Sequence, residues 1–228
     1  MSAQNTESSA PVELQPRRNP LQYRSKRTVA KILTATAHLL DEEGPEKLTT
    51  ERVAERCGIN IATLYHYFPN KLALLHAVAK QFADQQQERV DAIYGSRDER
   101  DWRETVDLLV DAGFEFNRDV KGALAAARAM QSHAALREID LQRDARQSEF
   151  VAQLLAELGI KGSPAELQTR ALVLLQTAGN AMNAALIWYP ERADAIIDEA
   201  KVMLKRYIEY YIEQPAGDTP SLDEKNAE

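Results

Sequence analysis

The chain has 228 residues and a single cysteine, Cys57. One thiol builds neither a disulfide framework nor a multi-cysteine zinc site. Glycine and proline stand at nine each, too few for a fibrous or disordered chain. No strand-length alternation of apolar and polar residues appears, and no internal repeat, so neither a sheet nor a solenoid is expected. No N-terminal apolar run reads as a signal peptide, and no stretch reaches the roughly 20 apolar residues a membrane helix needs. The expectation is therefore a cytoplasmic chain with no membrane partner. The four histidines, at positions 38, 66, 76 and 133, fall on different predicted helices. No H-x-x-x-H pair, Gly-rich phosphate loop or G-x-S-x-G elbow is present. No catalytic residue, metal or cofactor is therefore expected.

What is present is helical periodicity, with 44% apolar residues to fill a core. The charge is unevenly placed. The chain totals −7, yet residues 17–80 carry 11 Lys and Arg against 6 Asp and Glu, a net of +5. Residues 81–228 carry a net of −10. A basic segment is what binding to phosphate backbones requires, and the acidic remainder would be repelled from it. Arg17, Arg18, Arg24, Lys26 and Arg27 form a basic cluster before and at the start of the first helix. It is either a solvated charge run or an arm touching the DNA backbone.

The most informative stretch is LTTERVAERCGINIATLYHYFPNK, residues 48–71. Thr49 or Thr50 caps a short helix, with Glu51 in its first turn where negative charge suits the dipole. Val53, Ala54 and Cys57 face inward, Cys57 as a small buried hydrophobe rather than a reactive thiol. Gly58 follows, where a left-handed conformation is needed. Asn60 caps the next helix, expected over 61–67, and Ile59 and Leu64 are placed as a hydrophobic staple. Leu64 and Phe68 point to the core. Thr63 is outward-facing and small enough to approach a base edge. Tyr65 and Tyr67 are each either a core aromatic or a phosphate contact, and His66 is either a surface histidine or a phosphate donor. Two helices hinged this way, the second too short to stand alone, form a helix-turn-helix with a recognition helix for the major groove of double-stranded DNA.

These residues carry a resemblance. The segment from Lys26 to Ala79 resembles the N-terminal domain of the TetR family of bacterial regulators. The matching pieces are VAKILTATAHLLDEEG, LTTERVAERCGIN and TLYHYFPNKLALL, with a Thr opening the second helix, a Leu-Tyr-x-x-Phe run and a following Lys-x-x-Leu. The resemblance implies that Thr50, Tyr65, His66 and Lys71 contact phosphates and that Ile61, Ala62 and Thr63 form the base-reading surface. Lys26 and Asn60 complete the expected DNA-contacting set. Where the family usually has Ser this chain has Asn60, and where it often has Gly or Pro it has Ala62. Asn caps as well as Ser, but the base preference does not carry over. The resemblance also implies a repressor released from its operator by a small molecule. An activator of the same family, or a DNA-binding protein without an effector, is the alternative.

The expected fold is all-α with about nine helices. It comprises a tail over 1–20, a three-helix DNA-binding domain over 21–70, a helical regulatory and dimerisation domain over 71–214, and a tail over 215–228. The first helix covers about 24–43 and ends at Gly44-Pro45; the fourth covers about 70–93. Later helices cover about 100–119, 122–133, 135–158, 164–188 and 191–213. The helix over 164–188 is apolar nearly all round, and small residues such as Ala178 and Ala185 would allow close approach. The last helix carries a stripe including Ile196, Ala200, Met203, Tyr207 and Ile208. Two such helices from each of two chains form a four-helix bundle. A homodimer on a near-palindromic operator is therefore expected, the alternative being an intramolecular core. Gln176, Asn180 and Asn183 share one helix face and meet a ligand, one another or a dimer mate. Phe114, Asn117, Met130 and His133 are candidates for the same cavity. With few charges among these residues, the expected effector is apolar.

Overall fold

The computed structural model describes residues 23–97 and 100–213. The expected tails, and Arg17 and Arg18 with them, lie outside the described residues. Among the described residues there are nine α-helices and no strand: α1 (Tyr23–Lys47), α2 (Thr50–Cys57), α3 (Ile61–Tyr67), α4 (Lys71–Gly95), α5 (Trp102–Asp119), α6 (Ala123–Ser132), α7 (Arg137–Glu157), α8 (Pro164–Asn183) and α9 (Ala193–Glu213). Gly44 (φ 81°, ψ 167°) breaks the helical path inside α1, and one further turn follows through Pro45. Ser163 and Glu166 form a reciprocal capping box that starts α8, with Pro164 at its first position. A five-residue π-turn, Ala184–Trp188, continues α8 before Pro190.

Two cores hold these helices. The first joins Ile32, Leu39 and Leu40 of α1 to Val53 of α2, Leu64 of α3, and Leu74 and Val78 of α4. Phe82 and Phe116 extend it, as do Ala123, Ala126 and Met130 of α6. This core therefore runs across the expected boundary after residue 70. The α5–α6 corner lies directly on α1: the Gly122 N–H donates to Asp41 Oδ1 at 3.0 Å. The second core gathers Val106, Val110 and Phe114 of α5, Leu155 of α7, Leu174 of α8 and Ile197, Leu204 and Ile208 of α9. Ion pairs tie α9 to α5, Lys201 to Asp111 at 2.6 Å and Lys205 to Asp107 at 2.7 Å.

Two expectations bear on how α8 and α9 pack. The 25 residues from Pro164 to Trp188 are long and apolar enough to cross a membrane by length and composition alone. Arg170, Gln176, Asn180 and Asn183 interrupt the stretch, so it holds no uninterrupted run of about 20 apolar residues. Only 17% of the most apolar window of this helix is buried within the chain, so much of its apolar surface faces outward. The second is corrected, and concerns the helical stripe on α9. Ala200 and Ile208 are buried in the intramolecular core, as is Ala185 of the π-turn. Ala178, Ile196 and Tyr207 are half-buried against the same core, and the outer face is instead Val202, Met203 and Tyr210.

Candidate DNA-reading surface and effector cavity

The reader is built by caps and two buried anchors. Thr49 accepts from the Arg52 backbone N–H at 3.3 Å and starts α2. Gly58 ends it at φ 61°, ψ 38°, its N–H donating to the Ala54 and Glu55 carbonyls. In this left-handed turn glycine avoids the strain a side chain would meet. Asn60 Oδ1 then accepts the Ala62 N–H at 2.8 Å, and Asn70 Oδ1 accepts the Ala73 N–H at 2.9 Å. Leu64 and Phe68 are wholly buried. They pin a seven-residue helix that has too little length to be stable alone.

Asn60, Ala62, Thr63, Tyr65 and His66 are exposed around α3. Ile61, assigned to the base-reading surface, is half-buried and packs on the first core, which leaves Ala62 and Thr63 as the outward residues of the first turn. Tyr67 also packs on that core, its ring edge-on to His66 at 5.2 Å. Thr50 is buried, and its Oγ1 hydrogen-bonds the Tyr65 hydroxyl at 3.0 Å. The threonine thereby aims the tyrosine rather than offering its own side chain. Glu51 beside them is held below the usual carboxylate range, chiefly by its own backbone N–H, which outweighs the upward push of desolvation, with lesser help from the hydroxyls of Thr49, Thr50 and Tyr65.

Lys26 is exposed near the start of α1, and Lys71 Nζ donates to the Glu46 carbonyl at 3.3 Å. Arg52 and Arg56 do not stand free on the reader: Arg52 pairs with Glu43 at 2.5 Å and Arg56 grips Glu42 at 2.6 Å. These pairs brace α2 on α1. Cys57 is buried at the junction, and burial pushes its thiol pKa up, away from the reactive thiolate.

A cavity of about 230 Å³ lies between the two cores. Helices α4 to α9 all contribute to its wall. Phe82, Phe116 and Met130 reach it from the first core, and Val110, Leu174 and Ile208 from the second. Asn117, Met130, Gln176, Asn180 and Asn183 line it together, although they come from α5, α6 and α8. Asn117 Nδ2 donates to the Gly113 carbonyl at 2.9 Å. Two candidates do not reach it. Phe114 turns into the second core, where Arg118 covers its ring at 5.1 Å, and His133 is exposed beyond the end of α6.

The sequence reading missed the charged part of the wall. Arg143 of α7 donates to Asp140 at 2.5 Å and to Asp144 at 3.0 Å, and Gln176 Nε2 donates to Asp144 Oδ2 at 2.7 Å. Burial raises the Asp140 carboxyl above its ordinary range, against the opposing pull of Arg143. The signal was in the spacing. Asp140, Arg143, Asp144 and Gln147 continue, at steps of three and one, the same face as Phe150, Val151 and Leu154. The charged middle of α7 thus faces inward as its apolar end does, and the lining is not as poor in charge as expected.

Comparison with known proteins agrees with this geometry. The family model for bacterial regulatory proteins of the tetR family matches residues 32–78, and a tetracyclin repressor-like C-terminal domain matches residues 100–211. A nucleoid occlusion factor, SlmA, from Haemophilus influenzae is 30% identical over 134 residues, 57% of this chain and 59% of that protein. The chain thus spans under two thirds of that relative's length. The class C tetracycline repressor of Escherichia coli is 38% identical over 73 residues, covering 32% of this chain and 31% of the repressor. Among solved structures, a TetR-family transcriptional regulator from Streptomyces coelicolor superposes with a TM-score of 0.60 at 26% identity, over 81% of this chain and 99% of that one. The helix-turn-helix model covers α2 and α3, the C-terminal model spans the cavity-forming helices from α5 to α9, and together they account for most of the described chain: it belongs to the TetR family of bacterial regulators.

Proposed function

We propose that the chain is a sequence-specific, homodimeric repressor of transcription in the cytoplasm, released from its operator by a small molecule. One observation carries the DNA-binding part. The polar ridge of Thr63, Tyr65 and His66 stands exposed on a helix that Leu64 and Phe68 fix in place. The tyrosine hydroxyl is already oriented by Thr50. Phosphate contacts made by such groups set register, while Ala62 and Thr63 meet the base edges. The repressor assignment is supported by the family and by the match to the class C tetracycline repressor.

Dimerisation is supported by the outward apolar surface of α8 and α9. Leu172 and Val173 on α8 and Val202, Met203 and Tyr210 on α9 are exposed. Isolated exposed apolar residues are ordinary; several on two helices packed against each other support an interface. A two-fold pair presents two recognition helices, so the operator is near-palindromic, with half-sites about 34–36 Å apart or a multiple of that.

The cavity supports effector release. Its wall is shared by the core that holds the reader and the core that carries the outer helices α8 and α9. A ligand that fits one spacing of these cores better than another shifts the pair of readers between two separations.

Selection of bound sequences from random double-stranded DNA tests the reading. An inverted repeat is the expected result, and recovery of no common sequence would overturn it. Tyr65→Phe is expected to weaken binding to the selected site by about 1 kcal/mol, the usual scale of one hydrogen bond. A mobility-shift titration at fixed salt measures this, and unchanged affinity would remove the hydroxyl from the contacts.

A further inference from the structure

We infer that the effector is a hydrophobic cation, held between the carboxylates of Asp140 and Asp144 and the aromatic rings of the cavity. This deepens the proposed effector role of the cavity and rests on it. Three charged side chains line the cavity, Asp140, Arg143 and Asp144. Two carboxylates share one guanidinium, so this part of the wall is net negative by one charge. Arg143 meets one oxygen of each carboxylate, and Gln176 takes the second oxygen of Asp144. Among the described contacts, Arg143 meets Asp140 through Oδ1.

The rest of the wall suits the same chemistry. Phe82, Tyr94, Phe116 and Phe150 line it, and aromatic faces attract cations. Two of these rings already do so from outside the lining: Arg97 lies over Tyr94 at 4.2 Å and Arg89 over Phe116 at 5.0 Å. The amides of Gln86, Asn117, Gln147, Asn180 and Asn183 add polarity without charge. An anion entering this cavity meets a negative wall and the negative faces of the rings. A neutral hydrophobe leaves the net charge of the carboxylates uncompensated in a partly dry site, where charges interact more strongly than in water. A cation with apolar substituents answers both features.

Isothermal titration of the full-length protein with tetraphenylphosphonium and tetraphenylborate separates charge from shape, since the two ions share size and geometry. The cation is expected to bind at least about tenfold more tightly. Asp140→Asn combined with Asp144→Asn is expected to remove that preference, with circular dichroism confirming the fold. Gly179 lines the cavity, and a Cβ built on it has nothing within 4 Å. Gly179→Phe is therefore expected to fill the cavity and abolish binding of the cation. If both ions bind equally, or the anion more tightly, and Gly179→Phe blocks them, the charge class is wrong while the cavity still takes ligands. Binding that Gly179→Phe leaves unchanged overturns the cavity itself as the effector site. Failure of the cation to bind also overturns the inference.

Discussion

Gly122→Ala is expected to cost roughly 3 kcal/mol of folding stability, from backbone strain and overpacking together. Gly122 has φ 82° and ψ −6°, a left-handed conformation at the start of α6. A side chain there costs roughly 1–2 kcal/mol by itself. The larger problem is space. A Cβ would lie 2.4 Å from the Ala37 carbonyl oxygen and 3.0 Å from the Ala37 Cα. Those are backbone atoms of α1, which have no rotamer to escape into. The substitution must therefore lift α6 off α1 and stretch the Gly122 N–H to Asp41 bond. Urea unfolding measures the loss; a midpoint equal to that of the parent chain would refute the contact. The position also carries a functional consequence. Helix α6 lines the cavity and α1 supports the reader, so under the proposed effector release this corner joins the cavity wall to the reader. At temperatures where Gly122→Ala remains folded, its operator affinity is expected to fall.

The parts of the molecule legible in the sequence are those decided locally. Thr49, Gly58, Asn60 and Asn70 declare α2, α3 and α4 because a cap acts on backbone groups two to four residues away. Ser163-Pro164 did the same for α8. Cavity residues are different, because their membership depends on how helices meet. Phe114 and Phe116 stand two positions apart on α5, about 200° around the helix, and only Phe116 reaches the cavity. Met130 and His133 differ in the same way, since α6 ends at Ser132 and His133 leaves the helix. The stripe on α9 was visible as a period, but a period does not say which core it faces. Ile208 and Met203 are both apolar residues of that helix, and they point to opposite environments. The acidic character of α7 hid Asp140 and Asp144 for a related reason: charges at helical spacing ordinarily mark a solvated face, and here Arg143 neutralises part of their cost.

The proposed dimer makes the other large prediction. Met203→Glu is expected to convert the protein to monomers and to lower operator affinity by about 10²- to 10⁴-fold, because linked readers gain avidity that single ones lose. Met203 is 52% exposed within the chain. A carboxylate there is solvated in the monomer, so the fold is not threatened. In a symmetric interface the same change places two uncompensated negative charges against the partner, and their desolvation opposes association. Ile208→Glu looks similar in the sequence but tests something else. Ile208 is 2% exposed and sits among Leu204 and Ile197. Its substitution buries a charge in the chain's own core and is expected to unfold the protein, leaving no dimer equilibrium to measure. Sedimentation velocity and far-ultraviolet circular dichroism on both variants separate the two outcomes. Folded monomers from Met203→Glu place the interface on the outer face of α9. A folded Met203→Glu variant that still sediments as a dimer moves the interface elsewhere. A folded, dimeric Ile208→Glu variant would contradict the packing of the second core.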